Sequence, residues 1–124
     1  MKQSITSRMA VVVLAAAGTV LVPALAQPAL ASDCSHGHSN RDSTGGTFLG
    51  NGVNLRSGPH SPPGLSCPSN GQGQRGDGAA FHCWTFGDNV DGTSTWSWVR
   101  NTRTNVQGWV NDSLLSGNGS IEEC

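Results

Sequence analysis

The sequence predicts an all-β protein: a small β-barrel of five or six short strands with one short helical turn, after a cleaved signal peptide. Three observations carry that expectation. Short runs of β-favouring residues recur between clusters of Gly, Asn, Asp and Pro. No long window after the N-terminal segment repeats apolar residues at helical spacing. About seventy residues hold the strands, whereas a β-sandwich takes roughly 100.

The N-terminus reads as a secretory signal. Lys2 and Arg8 precede the apolar stretch Met9–Val22 of 14 residues, and Pro23 ends it. Small-residue cleavage sites follow at Ala24-Leu25-Ala26 and Ala29-Leu30-Ala31. The apolar stretch is shorter than the roughly 20 residues of a membrane span. Cleavage after Ala31 is favoured, with Ala26 as the alternative, which places residues 1–31 in the signal peptide. Asp33 stands where a lipobox before Cys34 would want a small residue, so no lipid anchor is expected there.

Residues 32–46 (SDCSHGHSNRDSTGG) form a polar arm without periodicity, read as loosely ordered and pinned at Cys34. The barrel is expected over residues 47–116. Gly52–Arg56 alternates Val53 and Leu55 with polar neighbours and reads as the first strand. Residues 57–64 (SGPHSPPG) make a long irregular loop. A weak strand near Asn70–Gln74 leads into Arg75-Gly76-Asp77-Gly78, a turn. Ala79–Trp84 is a better strand, Phe86–Thr93 a loop, and Thr95–Arg100 a strong strand with Trp96 and Trp98 on one face. Val106–Val110 is the last strand, and Asn111-Asp112-Ser113 the helical turn. Residues 117–124 are a polar tail ending in Cys124. The expected core is Val53, Leu55, Phe81, Trp96 or Trp98, Val99, Trp109, Val110 and Leu114.

Removing 31 residues from 124 leaves 93, with five Arg and no Lys against eight acidic residues, a net charge of −3. That excludes nucleic acid as a partner, because its recognition rests on clustered Lys and Arg. Only 24 of the 93 residues are apolar, a thin core that asks for covalent support. Cys34, Cys67, Cys83 and Cys124 supply it. An even count in an exported small domain reads as two disulfides, with three connectivities open.

Two segments resemble the bacterial SH3-like (SH3b) domain family. GVNLRSGPHS (Gly52–Ser61) is similar to that family's first strand and following loop, and VQGWVNDSLL (Val106–Leu115) to its closing Gly-Trp-Val segment and helical turn. Between them, GQGQRGD resembles the middle hairpin and TWSWVRN the strand that begins with Trp. The resemblance spans Gly52 to Leu115. It implies an SH3-like barrel and a non-enzymatic binding role, commonly at cell-wall peptidoglycan. The chain departs from the family by lacking a partner domain and any Tyr, and by adding four cysteines. The hairpin of the resemblance places Asn70 opposite Cys83. It thereby implies a Cys67–Cys83 bridge, with Cys34 and Cys124 joining the two ends.

The remaining motifs have plainer readings. Gly76-Asp77 in the Arg-Gly-Asp tripeptide is turn chemistry rather than an adhesion signal. Cys34-x-His36-x-His38 reads as a half-cystine beside solvated histidines, not a zinc site. Asp88-Asn89-Val90-Asp91-Gly92 lacks the spacing and the Glu of a calcium loop and reads as a surface turn. No Gly-x-Ser-x-Gly elbow is present, and paired cysteines leave no thiol nucleophile. The expectation is a secreted monomer that binds without catalysis, needing no cofactor or metal. Its partner would be a cell-wall component, or alternatively a secreted protein. Trp84, Trp98, His60 and Asp88 are the candidate ligand-binding residues, where the loop after Pro59 meets the loop after Phe86.

Overall fold

The computed structural model describes residues 34–124; the expected signal peptide lies outside them. The described residues form one antiparallel six-stranded sheet, curled into a half-barrel: β1 (Gly45–Thr47), β2 (Val53–Arg56), β3 (Ser69–Gly73), β4 (Gly78–Val90), β5 (Thr93–Asn101) and β6 (Gln107–Asn111). The strand order is β1-β4-β5-β6-β2-β3. Two 3-10 turns, Asp112–Leu114 and Ser116–Asn118, follow. Asn111 starts the first, its side-chain oxygen accepting from the Ser113 amide. No helix among the described residues is long and apolar enough to cross a membrane.

The all-β class holds, and most strands fall where the alternation placed them. β4 and β5 are longer than expected. Asp91 and Gly92 both take positive φ, 51° and 87°, and Val90 pairs with Thr93. This two-residue turn matches the twist of the flanking strands, so Phe86 and Val90 stay paired to β5, with a bulge between them, rather than forming a loop.

The inner face carries the core: Phe48, Val53, Leu55, Ala79, Phe81, Val99, Val110 and Leu115, all buried. Leu115 takes the deep position expected of Leu114, which packs against the cluster from its edge. Phe48, 1% exposed, lies outside the expected core list. Its ring fills the space above Gly73, where a Cβ would come within 2.8 Å of it. Gly108 lets β6 reach β2, since a Cβ there would meet the Leu55 carbonyl carbon at 2.6 Å.

The cysteine pairing corrects the expectation. The bridges are Cys34–Cys67 and Cys83–Cys124. The implied hairpin between β3 and β4 does not exist, because β3 pairs with β2 while β4 pairs with β1 and β5. Residues 74–77 turn a corner between strands at different places in the sheet, so Cys67 and Cys83 never face each other. Cys67 instead lies beside the 57–58 backbone, where Ser57 N–H donates to Pro68 O at 2.8 Å. Two such bridges fit an oxidising, extracellular setting.

Arm and tail also differ from the expectation. The arm is held along its length rather than at Cys34 alone. Ser39 N–H donates to Cys83 Sγ at 3.4 Å and Arg41 N–H to His82 O at 3.0 Å. Its last residues enter β1. The tail lies along β4, with Trp84 N–H donating to Glu122 O at 2.8 Å and Cys124 N–H to Trp84 O at 2.9 Å. Both segments cover backbone of β4 that would otherwise be an open edge. A buried polar chain ties them together. The Asp42 carboxylate accepts from Thr44, from Ser120 Oγ at 2.7 Å and from the Ile121 amide at 3.1 Å. Ser120 N–H donates to Ser97 Oγ, which donates to Asp112 Oδ1 at 2.6 Å.

Each bridge closes a long loop, with sequence separations of 33 and 41. Loop-closure entropy then gives about 4 kcal/mol for either. Cys34→Ser/Cys67→Ser and Cys83→Ser/Cys124→Ser should each lower stability in urea by an amount of that order. Non-reducing peptide mapping of the wild type should recover only these two linkages; a Cys67–Cys83 peptide would contradict the topology.

Candidate functional site

Alternation along the strands sorts side chains onto two faces. Ser97 and Val99 point inward, so Trp96 and Trp98 point outward. Register carries this across the sheet: Trp98 pairs with Trp109, Trp96 with Asn111, and Arg56 with Trp109. The outer face therefore bears Trp96, Trp98, Trp109, Asn111, Arg56 and, two residues before it, Asn54.

One end of this face is covered by the arm. Trp98 and Trp109 meet edge-to-face at 5.6 Å. His38 stacks on Trp98 with ring centroids 3.6 Å apart and planes at 7°, and His36 tilts over Trp109 at 5.4 Å. The two histidines read as solvated in sequence are thus the cover of an aromatic pair. Desolvation lowers the His38 pKa, and the charge of His36 lowers it further. Desolvation likewise lowers that of His82, with smaller contributions from His38 and Arg100. Among the described residues, no group of three or more His, Cys, Asp or Glu side chains is placed to hold a metal ion.

The other end is open. A groove of about 300 Å³ runs between Gly50–Asn54, Arg56, Ser61, Val90, Trp96, Asn111 and Leu114. Val53, Val90, Trp96 and Leu114 make its apolar part, and Asn51, Asn54 and Arg56 its polar part. Trp96 is fixed there by Nε1–H donating to Asp88 O at 2.8 Å. Asn111 is largely engaged, one Nδ2–H donating to Thr93 O and its Oδ1 accepting from the Ser113 amide and hydroxyl. Asn51 Oδ1 accepts from the Arg75 amide, and Asn54 Oδ1 from Gln72. Each of these two therefore offers a ligand its N–H donors.

The four residues singled out in sequence fall at three places. His60 and Asp88 meet, with Nδ1 to Oδ1 at 3.0 Å, and Ser61 N–H donates to Asp88 Oδ2 at 3.1 Å. The loop after Pro59 does approach the segment after Phe86, and the contact lies next to Ser61 on the groove wall. Trp98 is occupied by His38, Trp109 and Gln107, the last accepting its Nε1–H at 3.1 Å. Trp84 stands edge-on to the exposed Phe86 at 5.2 Å and pairs with the tail. Of Trp96 and Trp98, read in sequence as one plug and one cap in either order, Trp96 lines the groove, itself only 2% exposed. Asn51 carried no sequence signal, and Asn54 and Arg56 stood only in the Gly52–Ser61 segment of the resemblance, with no ligand role read from it.

Two carboxylates have settled roles. Asp77 of the Arg-Gly-Asp tripeptide accepts from Arg103 Nε at 2.7 Å and Nη2 at 2.9 Å, from Asn101 and from the Gln74 amide. These bonds, the Arg103 fork first, hold its pKa well below the usual carboxylate range. The group an adhesion receptor would engage is spent inside the turn. Asp42 is brought to about 2: burial would raise it, but the bonds from Thr44, Ser120 and Ile121 outweigh that. Burial raises the Asp112 pKa against the opposing hydroxyl bonds of Ser97 and Thr95.

No family model, curated protein or solved structure matches this chain.

Because the folded pKa of Asp77 is depressed, its contribution to stability is present above roughly pH 4, the unfolded value, and is lost as pH falls below that. Arg103→Gln should raise the Asp77 pKa, read by NMR titration of its carboxyl carbon, and move acid unfolding to higher pH. An unchanged Asp77 titration would show that the Arg103 fork does not govern it.

Proposed function

We propose that this chain is an exported, non-catalytic binding module on an SH3b-like barrel. It recognises a bacterial cell-wall component, a peptidoglycan peptide or glycan, in the groove beside Trp96. The observation that carries this reading is where the groove lies. The two segments that resemble the SH3b family, Gly52–Ser61 and Val106–Leu115, supply most of its lining: Gly52, Val53, Asn54, Arg56 and Ser61 from the first, Asn111 and Leu114 from the second. An apolar strip beside a few polar donors is the usual make-up of a small-ligand site. The two disulfides support a life outside the cell.

A second reading, a secreted effector or inhibitor that binds another protein, rests on two side chains. Phe86 is 66% and Ile121 72% exposed, two large apolar side chains open to a partner.

Co-sedimentation of the oxidised protein with purified peptidoglycan sacculi separates the two. The wild type should pellet with sacculi. Asn54→Trp, which introduces a strand-favouring residue and fills the groove, should lower the bound fraction at least about tenfold with the fold intact. Wild type left in the supernatant overturns the wall reading. Capture of one discrete culture-medium protein, lost in Phe86→Ser, would then establish the second.

A further inference from the structure

The groove's chemistry is one-sided. Among the described residues, Arg56 is the only charged one that lines it and no carboxylate does, in a mature chain of net charge −3. Asn51 and Asn54 have their oxygens engaged and present N–H donors, and Asn111, whose oxygen accepts twice from Ser113, likewise has only N–H to offer. The Arg56 guanidinium commits Nη1 to the Cys67 carbonyl at 2.9 Å, which fixes the side chain and leaves its other N–H groups for a ligand. The polar part of the groove is therefore a set of donors around one cation. Its other part is the apolar strip of Val90, Trp96 and Leu114.

We infer that the groove takes a short peptide bearing a carboxylate, its acid group on Arg56 and its small apolar side chains against Val90 and Leu114, at the edge of the buried Trp96. Arginine matches a carboxylate with paired, charge-assisted hydrogen bonds. The Asn51 and Asn54 N–H groups suit the peptide carbonyls that precede it. A neutral glycan would offer the groove donors as well as acceptors and would leave the guanidinium without a counter-charge. The inference rests on the groove being the binding site and names the class of its ligand. It does not depend on where that ligand comes from.

The probe is a matched pair: N-acetyl-trialanine as the free acid, and the same peptide as its C-terminal amide. Each is titrated into ¹⁵N-labelled oxidised protein and followed by NMR. The free acid should bind at least roughly tenfold more tightly than the amide, as a charge-assisted pair predicts. It should shift the Asn51 and Asn54 side-chain amides and the Arg56 Nε–H. Arg56→Gln should erase the difference between acid and amide. Because Arg56 also holds the 67 carbonyl, Asn54→Asp serves as a second variant. It leaves Arg56 in place and sets a carboxylate two residues away on the same face; both peptides lose the Asn54 N–H donor, but the acid, which also meets the new charge, should weaken roughly tenfold more than the amide. Equal binding of acid and amide, or shifts confined to the His38–Trp98 end, overturns the inference. Sacculus binding without an acid preference would sink this inference and spare the wall reading. An acid preference without sacculus binding would do the reverse.

Discussion

Trp109 faces away from the barrel core and is still fully buried, 0% exposed. That one constraint organises much of the molecule. A large indole on the outer face of a sheet needs a cover, and so small a domain has few elements to provide one. Trp98 covers it from the neighbouring strand, and the 34–40 segment covers both, with His36 and His38 laid on the two rings. The segment has no regular secondary structure to hold it. The Cys34–Cys67 bridge fixes one end, and the Asp42 carboxylate the other. The disulfide thus does more than shorten the unfolded chain: it keeps a cover in place over apolar surface. The cover has one imperfection, since Trp109 Nε1–H has no hydrogen-bond partner among the described residues.

The same arrangement explains which part of the outer face stays open. The arm takes the Trp98–Trp109 end, the tail and β1 take the edge of β4, and the His60–Asp88 contact anchors the loop after Pro59. What remains between that loop, the 50–54 segment and the 3-10 turn is the groove. Its walls come from strands, from a turn capped by Asn111 and from the 50–52 and Ser61 loop segments, Asn51 being held in place by the Arg75 amide.

Much of this was legible in the sequence, and the gaps have physical causes. Alternation found the cores of the strands because Val53, Leu55, Val99 and Val110 must share an inner face. The Asp91-Gly92 hairpin carried a strong short-range signal, yet the polar run around it read as a loop. Gly76-Asp77 read as a hairpin turn because turn residues report a reversal and not which strands flank it, and the cysteine pairing failed with it. The arm was misjudged because its contacts, imidazole on indole and Asp42 on Ser120, join residues far apart in sequence and leave no periodic trace. His60 and Asp88 do meet where two loops were expected to converge. Trp98 was singled out as a candidate ligand-binding residue, and its ring is stacked under His38. The groove's donors could not be found from sequence, since their availability depends on which Asn side chains the turns consume.

The measurement that tests this account most directly is the proton NMR spectrum of the His38 ring in the oxidised protein. A parallel indole 3.6 Å away should move the imidazole protons strongly upfield of their random-coil positions and give nuclear Overhauser contacts to Trp98. Both should vanish when Cys34 and Cys67 are replaced by Ser. Random-coil His38 shifts in the oxidised wild type would contradict the account. The arm would then not be the cover, and some other contact would have to explain how Trp109 is buried.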